Sequence, residues 1–206
     1  MADDGLPPLP LDRMTDAQRV AAGSFAELRG TAVFGPFVPL LRSPELMTLT
    51  AALGEYLRFR SALGPRLREL AILVTSREWT QQFEWDVHAR AALTAGLSTE
   101  LVGAIASGRR PEGMGEDEAS LYDLCLEMHR KKTVTDAVYA RAVERLGEQA
   151  VVDAVAICGY YALLAIGHEH GADAVAGGPS ARSDALAGQP RSMTRGSCSP
   201  PVFSPR

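Results

Sequence analysis

Two acids and one imidazole carry the most chemistry per residue in this chain: Glu69, Glu84 and His88. Glu84 and His88 are four apart, so on a helix their side chains share one face and can touch. Glu69 lies nineteen residues before His88, on what the periodicity predicts to be the preceding helix. If the two helices fold back on one another through a turn at about Arg77–Thr80, Glu69 comes level with the Glu84–His88 pair. Burial raises carboxylate pKa values, a second carboxylate raises one of them further, and an anionic neighbour raises that of histidine. Groups moved toward neutrality in this way suit general acid–base catalysis. The same spacing also fits an ordinary ion pair between helix faces, and spacing alone does not choose.

The elements that must position these groups can be read from caps and breakers. Thr15 followed by Gln18 is a capping-box start for a helix to about Leu28. The Gly30–Leu41 segment, with Gly35-Pro36 and Pro39, cannot be a regular helix. It is nevertheless so apolar (Val33, Phe34, Phe37, Val38, Leu40, Leu41) that it must be pinned against a core or a partner. Ser43-Pro44-Glu45 opens a helix to about Arg60, with Leu46, Leu49, Leu53, Tyr56 and Leu57 as its expected buried stripe. Gly64-Pro65 breaks the chain; Arg66–Arg77 and Gln81–Ala95 follow as helices, the second stopped by Gly96. Ser98 caps a short helix ending near Gly108, Glu116–Lys132 carries acids at its start and bases at its end, Thr135-Asp136 opens a helix closed by Gly147, and the last runs from Glu148 to about Ile166. No alternating strand pattern of useful length occurs. The fold class is all-α, a bundle of about six to eight helices.

The organisation expected is an extended Pro-rich arm over 1–14, one helical domain over 15–167, and a disordered Gly/Ser/Pro/Arg-rich tail over 168–206. A net charge of −4 gives no basic field for nucleic acid or an anionic membrane. The acidic N-terminus has no signal-like apolar region, and no stretch is expected to reach the roughly 20 apolar residues of a membrane span. Ala150–Ile166 reads as a buried core helix, broken by Asp153. Three cysteines (Cys125, Cys158, Cys198), far apart in sequence, form no CxxC; they argue for a reducing, cytoplasmic setting and against a local redox pair or zinc knuckle. Cys125 and Cys158 are expected as small buried hydrophobes and His129 as a cap on helix-end carbonyls. Trp85, Tyr160 and Tyr161 are expected as core or interface aromatics, with pocket lining the other use open to them. His168-Glu169-His170 has no third ligand placed for a metal, and Glu84/His88 lacks the second histidine of a helix metal site, so neither metal nor cofactor is expected.

The wording around these residues resembles the carboxymuconolactone decarboxylase-like and AhpD-like family. The resemblance rests on G-P-F at Gly35–Phe37, S-P-E-L at Ser43–Leu46, L-G-E-Y at Leu53–Tyr56, R-E-L-A-I-L at Arg68–Leu73, E-W-x-x-H at Glu84–His88 and G-Y-Y at Gly159–Tyr161, across roughly residues 5–167. AhpD-like proteins carry Glu, eleven residues, Cys, two residues, Cys, three residues, His. Here the Glu and His positions are kept as Glu69 and His88, while Gln81 and Glu84 stand at the two cysteine positions. Thiol peroxidase chemistry needs a thiolate at that motif, so the resemblance does not carry it over. What it implies instead is proton chemistry on a small carboxylated lactone or related acid, with His88 as proton donor polarised by Glu84 and Glu69 orienting it. Arg66, Arg68, Gln81 and Trp85 would contact the small-molecule substrate. It further implies a homo-oligomer, trimer or hexamer, with loop 33–41 as an interface element. The other readings are an AhpD-like thiol peroxidase of the antioxidant, peroxiredoxin type, disfavoured because the motif's cysteine pair is absent, and a non-catalytic ligand-binding oligomer.

The resemblance stops at Ala165–Gly167, where family members finish with an Asn-containing turn and a Pro-Leu-Pro tail. One choice of codons for His168–Gly178, read a base later, spells M-N-T-A-R-T-P-L-P-A-G. A frameshift origin for 168–206 is therefore an expectation, to be decided by the coding DNA.

Overall fold

The computed structural model describes residue 6 and residues 8–169, with side chains up to Gly167. Its regular elements are helical: a 3-10 turn at Leu11–Arg13, then α1 (Asp16–Arg29), α2 (Phe37–Leu40), α3 (Pro44–Phe59), α4 (Pro65–Glu78), α5 (Gln82–Thr94), α6 (Thr99–Ala106), α7 (Glu116–Lys131), α8 (Asp136–Leu146) and α9 (Glu148–Glu169). The expected tail, its proposed frameshift and the His168-Glu169-His170 cluster lie outside the residues whose side chains are described. The N-terminal arm is extended at Pro10 and Met14, with the 3-10 turn between them.

α4 is the centre of the molecule. Every residue from Glu69 to Ser76 is buried, as expected of a helix surrounded by others rather than lying on a surface. α5, α6, α7 and α9 pack around it, α1 lies on α3, and α8 bridges α7 and α9. Leu70, Ile72 and Leu73 of α4 meet Leu121 and Leu124 of α7 and Ile157 of α9 in one core, each fully buried. Burying side chains of this size stabilises the fold by about 1.5–3 kcal/mol each. Local signals set the ends. The Thr15–Gln18 capping box is formed in both directions. Ser98 Oγ accepts from Leu101 N at 3.2 Å, and Gly96 follows α5 with φ +94°.

Three expectations change. Gly30–Leu41 includes one helical turn, α2, whose Phe37 is buried against Phe25 with ring centroids 4.7 Å apart. On α3 only the end of the expected stripe faces inward: Leu57 is buried and Tyr56 half-buried, but Leu46, Leu49 and Leu53 are exposed and Met47, Thr50, Ala51 and Gly54 are buried instead. The reason is close packing on small residues. A Cβ at Gly54 would lie 2.1 Å from Tyr160 Oη, so the close approach of α9 requires glycine on this face. Finally, Glu148–Gly167 has a mean hydropathy of 1.9, long and apolar enough to cross a bilayer, and just over half of it is buried within the bundle. The interrupting Asp153 does not dilute that average enough. It is satisfied internally: Ala62 N–H and Tyr56 O–H donate to its two oxygens at 2.6 and 3.0 Å.

Candidate active site

The α4–α5 hairpin is closed by a turn in which Trp79 N, Thr80 N and Gln81 N donate to Thr75 O, Arg77 O and Ser76 O. Thr80 takes a left-handed conformation, φ 51°, to make it. Gln81 then caps α5, its side-chain oxygen accepting from Phe83 N at 2.9 Å. This reversal sets Glu69 opposite His88. His88 Nδ1 donates to Glu69 Oε2 at 2.7 Å, and Nε2 lies 3.5 Å from Glu84 Oε2. The imidazole thus sits between two carboxylates, one from each helix of the hairpin.

All three groups are shielded. Glu69, Glu84 and His88 are 4%, 5% and 7% exposed, so bulk water does not bathe them. The Tyr161 ring meets His88 edge-on with centroids 5.0 Å apart, and Tyr160 stands 5.2 Å beyond it. Burial acts to lower the His88 pKa, but the hydrogen bonds and charges of Glu69 and Glu84 outweigh it and leave His88 above 6.5. Burial likewise acts to raise Glu69, yet the hydrogen bond from His88, its charge, and Arg68 hold the carboxyl below its ordinary value. Both shifts favour the charged forms, an imidazolium facing a carboxylate. The pair can hold a proton at a fixed atom and return it to a neighbouring base.

The other residues expected at the site are distributed differently. Arg68 is there: its Nε lies 3.3 Å from Glu69 Oε1, and a terminal nitrogen donates to the Arg58 carbonyl. Arg66 is engaged elsewhere, its Nε on Glu118 Oε1 at 2.6 Å and a terminal nitrogen on the Gly96 carbonyl. There it ties α4 to the capped start of α7. Gln81 spends its oxygen on the α5 cap and its amide on Ala165 O, at 3.4 Å, holding α9 to the hairpin. Trp85 packs in the core. Tyr161 is the neighbour that sequence reasoning left among undifferentiated aromatics; its signal was only the Tyr160-Tyr161 pair on the most apolar helix. Among the described residues no group of three or more His, Cys, Asp or Glu is placed to hold a metal ion.

The comparison that bears on this geometry is with protein families. Residues 44–121, which run from the start of α3 into α7 and contain Glu69, Glu84 and His88, match the carboxymuconolactone decarboxylase family. Over that stretch the chain resembles the family's domain. The matched stretch holds the whole α4–α5 hairpin, so the decarboxylase-family segment and the buried polar cluster coincide. No curated protein and no solved structure matches the chain.

Proposed function

We propose that this decarboxylase-family domain is an acid–base enzyme that removes CO₂ from, or isomerises, a small carboxylated lactone or related organic acid. The observation that carries the reading is the 2.7 Å contact between His88 Nδ1 and Glu69 Oε2, in a shielded site with Glu84 facing the other nitrogen. Loss of CO₂ from a β,γ-unsaturated or otherwise activated acid leaves an enolate-like anion. His88, whose protonated form the two carboxylates favour, delivers the proton from Nε2 and is then reprotonated from water. Glu69 fixes the ring and its protonation state, and the looser 3.5 Å contact to Glu84 is the one a substrate displaces. Arg68, beside Glu69, is the nearest cation for a substrate carboxylate. A cytoplasmic setting belongs to the same reading, as does a homo-oligomer (trimer or hexamer) that would cover the exposed Leu46, Leu49 and Leu53 and the apolar loop 33–41.

The test is CO₂ release, or product formation, across a panel of small carboxylated lactones and related acids, with Glu69→Gln, Glu84→Gln and His88→Ala alongside. Each variant should lose about 10²–10⁴-fold in turnover. Wild-type rates in all three would remove the assignment. Near-complete burial favours a second reading, in which the cluster is a structural ion pair inside a ligand-binding oligomer. Under that reading NMR titration still finds His88 above 6.5, but no acid in the panel turns over.

A further inference from the structure

The His88 ring is hydrogen-bonded firmly at one nitrogen only. Nδ1 donates to Glu69 Oε2 at 2.7 Å, whereas the 3.5 Å separation of Nε2 from Glu84 Oε2 is too long to fix that end of the ring. The torsion that turns a histidine ring is broad, so a single hydrogen bond leaves Nε2 room to swing. The remaining restraint comes from α9. The Tyr161 ring stands at 86° to the imidazole with centroids 5.0 Å apart, and both side chains are buried. Tyr160 braces Tyr161 in turn, at 82° and 5.2 Å. Tyr160 is itself seated where only glycine fits: a Cβ at Gly54 would overlap its hydroxyl oxygen and would stand 2.7 Å from Arg29 Nη2. α9 is pinned on both sides of the tyrosine pair. Ala62 N–H and Tyr56 O–H donate to Asp153, and the Gln81 amide donates to the Ala165 carbonyl. α9 also lies beyond residues 44–121, so this restraint comes from outside the stretch that matches the family.

We propose that Tyr161 is a positioning residue for the acid–base reaction: it fixes the plane of the His88 ring so that Nε2 stays aimed toward Glu84, and Tyr160, seated on Gly54, holds Tyr161 in place. The consequence for turnover rests on the acid–base reading above; the hold of α9 on the ring does not. The influence is steric rather than ionic. Burial pushes the Tyr160 hydroxyl up to about 12 and that of Tyr161 well above its usual value, so both are neutral at pH 7. The charges around the imidazole are Glu69 and, beside it, Arg68 from α4, and Glu84 from α5, with Arg58 of α3 acting on Tyr161. Without the Tyr161 ring, water reaches this cluster and screens the attraction of the two carboxylates for the His88 proton. That attraction outweighs burial in the closed site, so opening it moves His88 down toward 6.5. Nε2 loses its aim at the same time, and a misplacement of about 1 Å at a reacting group costs about 10²-fold in rate.

The experiment is an NMR titration of His88 in the full chain, run beside turnover on the acid panel, for wild type, Tyr161→Leu, Tyr161→Phe, Tyr160→Leu and Gly54→Ala. Tyr161→Leu should bring the His88 midpoint down toward 6.5 and cut kcat by about 10²-fold. KM should hardly move, since the aim of Nε2 matters in the chemical step. Tyr161→Phe restores the ring without the hydroxyl and should return the midpoint to that of wild type. Tyr160→Leu and Gly54→Ala, one and two contacts further from His88, should move the midpoint in the same direction by smaller amounts. Val152→Ala, exposed on the same helix, is the control and should change neither readout. A Tyr161→Leu protein with native circular dichroism and a wild-type midpoint would overturn the proposal, as would a Tyr161→Phe midpoint displaced as far as that of Tyr161→Leu. If Tyr161→Leu does not fold, Tyr160→Leu and Gly54→Ala decide, and unmoved midpoints in both reject the role. Should no acid turn over in wild type, the acid–base reading fails while the titration still shows whether Tyr161 holds the ring.

Discussion

α4 presents two polar clusters, Glu69 near its start to α5 and Thr75 near its end to α7 and α9, and the two were built by different kinds of contact. At the first, the acid, the second acid and the imidazole span twenty residues of chain and one hairpin turn. At the second, Cys125 and His129 share a helix turn, but Thr75 and Cys158 arrive from fifty residues before and thirty-three after. Charge also works differently. Glu69 and His88 stabilise one another's ionised forms, each countering the other's burial. The two thiols instead divide one proton, and only one sulfur is favoured as thiolate. The first cluster is closed within one hairpin; the second exists only through the packing of three helices.

That contrast explains what could be read in advance. The i, i+4 spacing of Glu84 and His88, the capping signals and the length of the hairpin were local, and local signals placed the first cluster and eight of the helices. The closing turn needed only Arg77–Thr80 to reverse direction. The thiol cluster depends on how α7 and α9 roll against α4, which no spacing encodes; Cys125 and Cys158 look like any buried small residues. The same blindness misplaced the first three leucines of the α3 stripe. Leucines mark hydrophobicity, but Thr50, Ala51 and Gly54 allow the closest approach of Tyr160, and steric access decided which face is inside.

The largest effect that would separate the clusters comes from removing one member of each. Glu69→Ala leaves His88 buried with one carboxylate fewer and should cost about 3–5 kcal/mol in urea unfolding, the range for orphaning a buried ion-pair partner. Cys158→Ala removes a single sulfur atom from the core and should cost about 0.5–1.5 kcal/mol, comparable to a single deleted methyl. The double change Glu69→Leu with His88→Leu should recover most of the loss, since it abandons no charge. Equal costs for Glu69→Ala and Cys158→Ala would show that the first cluster is not held as an ion pair.

Next in size is the pH dependence of stability. His88 lies above its ordinary 6.5, so its contribution is fully present below that value and is lost as pH rises through the folded pKa. Glu69 lies below its ordinary 4.5, so its contribution is present above that value and is lost as pH falls through the folded pKa. Stability from this pair should therefore plateau between about 4.5 and 6.5 and decline on both sides. His88→Gln should flatten the alkaline decline. A decline unchanged in His88→Gln would assign it to other groups.

The smallest effect concerns the two left-handed residues that end α4 and α7. Thr80, φ 51°, closes the hairpin of the first cluster, and Lys132, φ 60°, terminates the helix carrying His129. A β-branched side chain is costly in this region of backbone space, an unbranched one less so. Glycine removes that cost but gives back about 0.5–1 kcal/mol in unfolded-chain entropy. Thr80→Gly should therefore be stabilising by up to about 1 kcal/mol. Lys132→Gly should gain less, because Lys132 Nζ stands 5.6 Å over the Trp79 ring and that contact is lost with the side chain. Asparagine tests the steric part alone, since it tolerates the left-handed region without glycine's entropy cost. Thr80→Asn should thus match or exceed Thr80→Gly in thermal melts. If both lower the melting temperature, the Thr80 side chain contributes more to the turn than its backbone costs, and the hairpin that joins Glu69 to His88 is held by more than its three backbone hydrogen bonds.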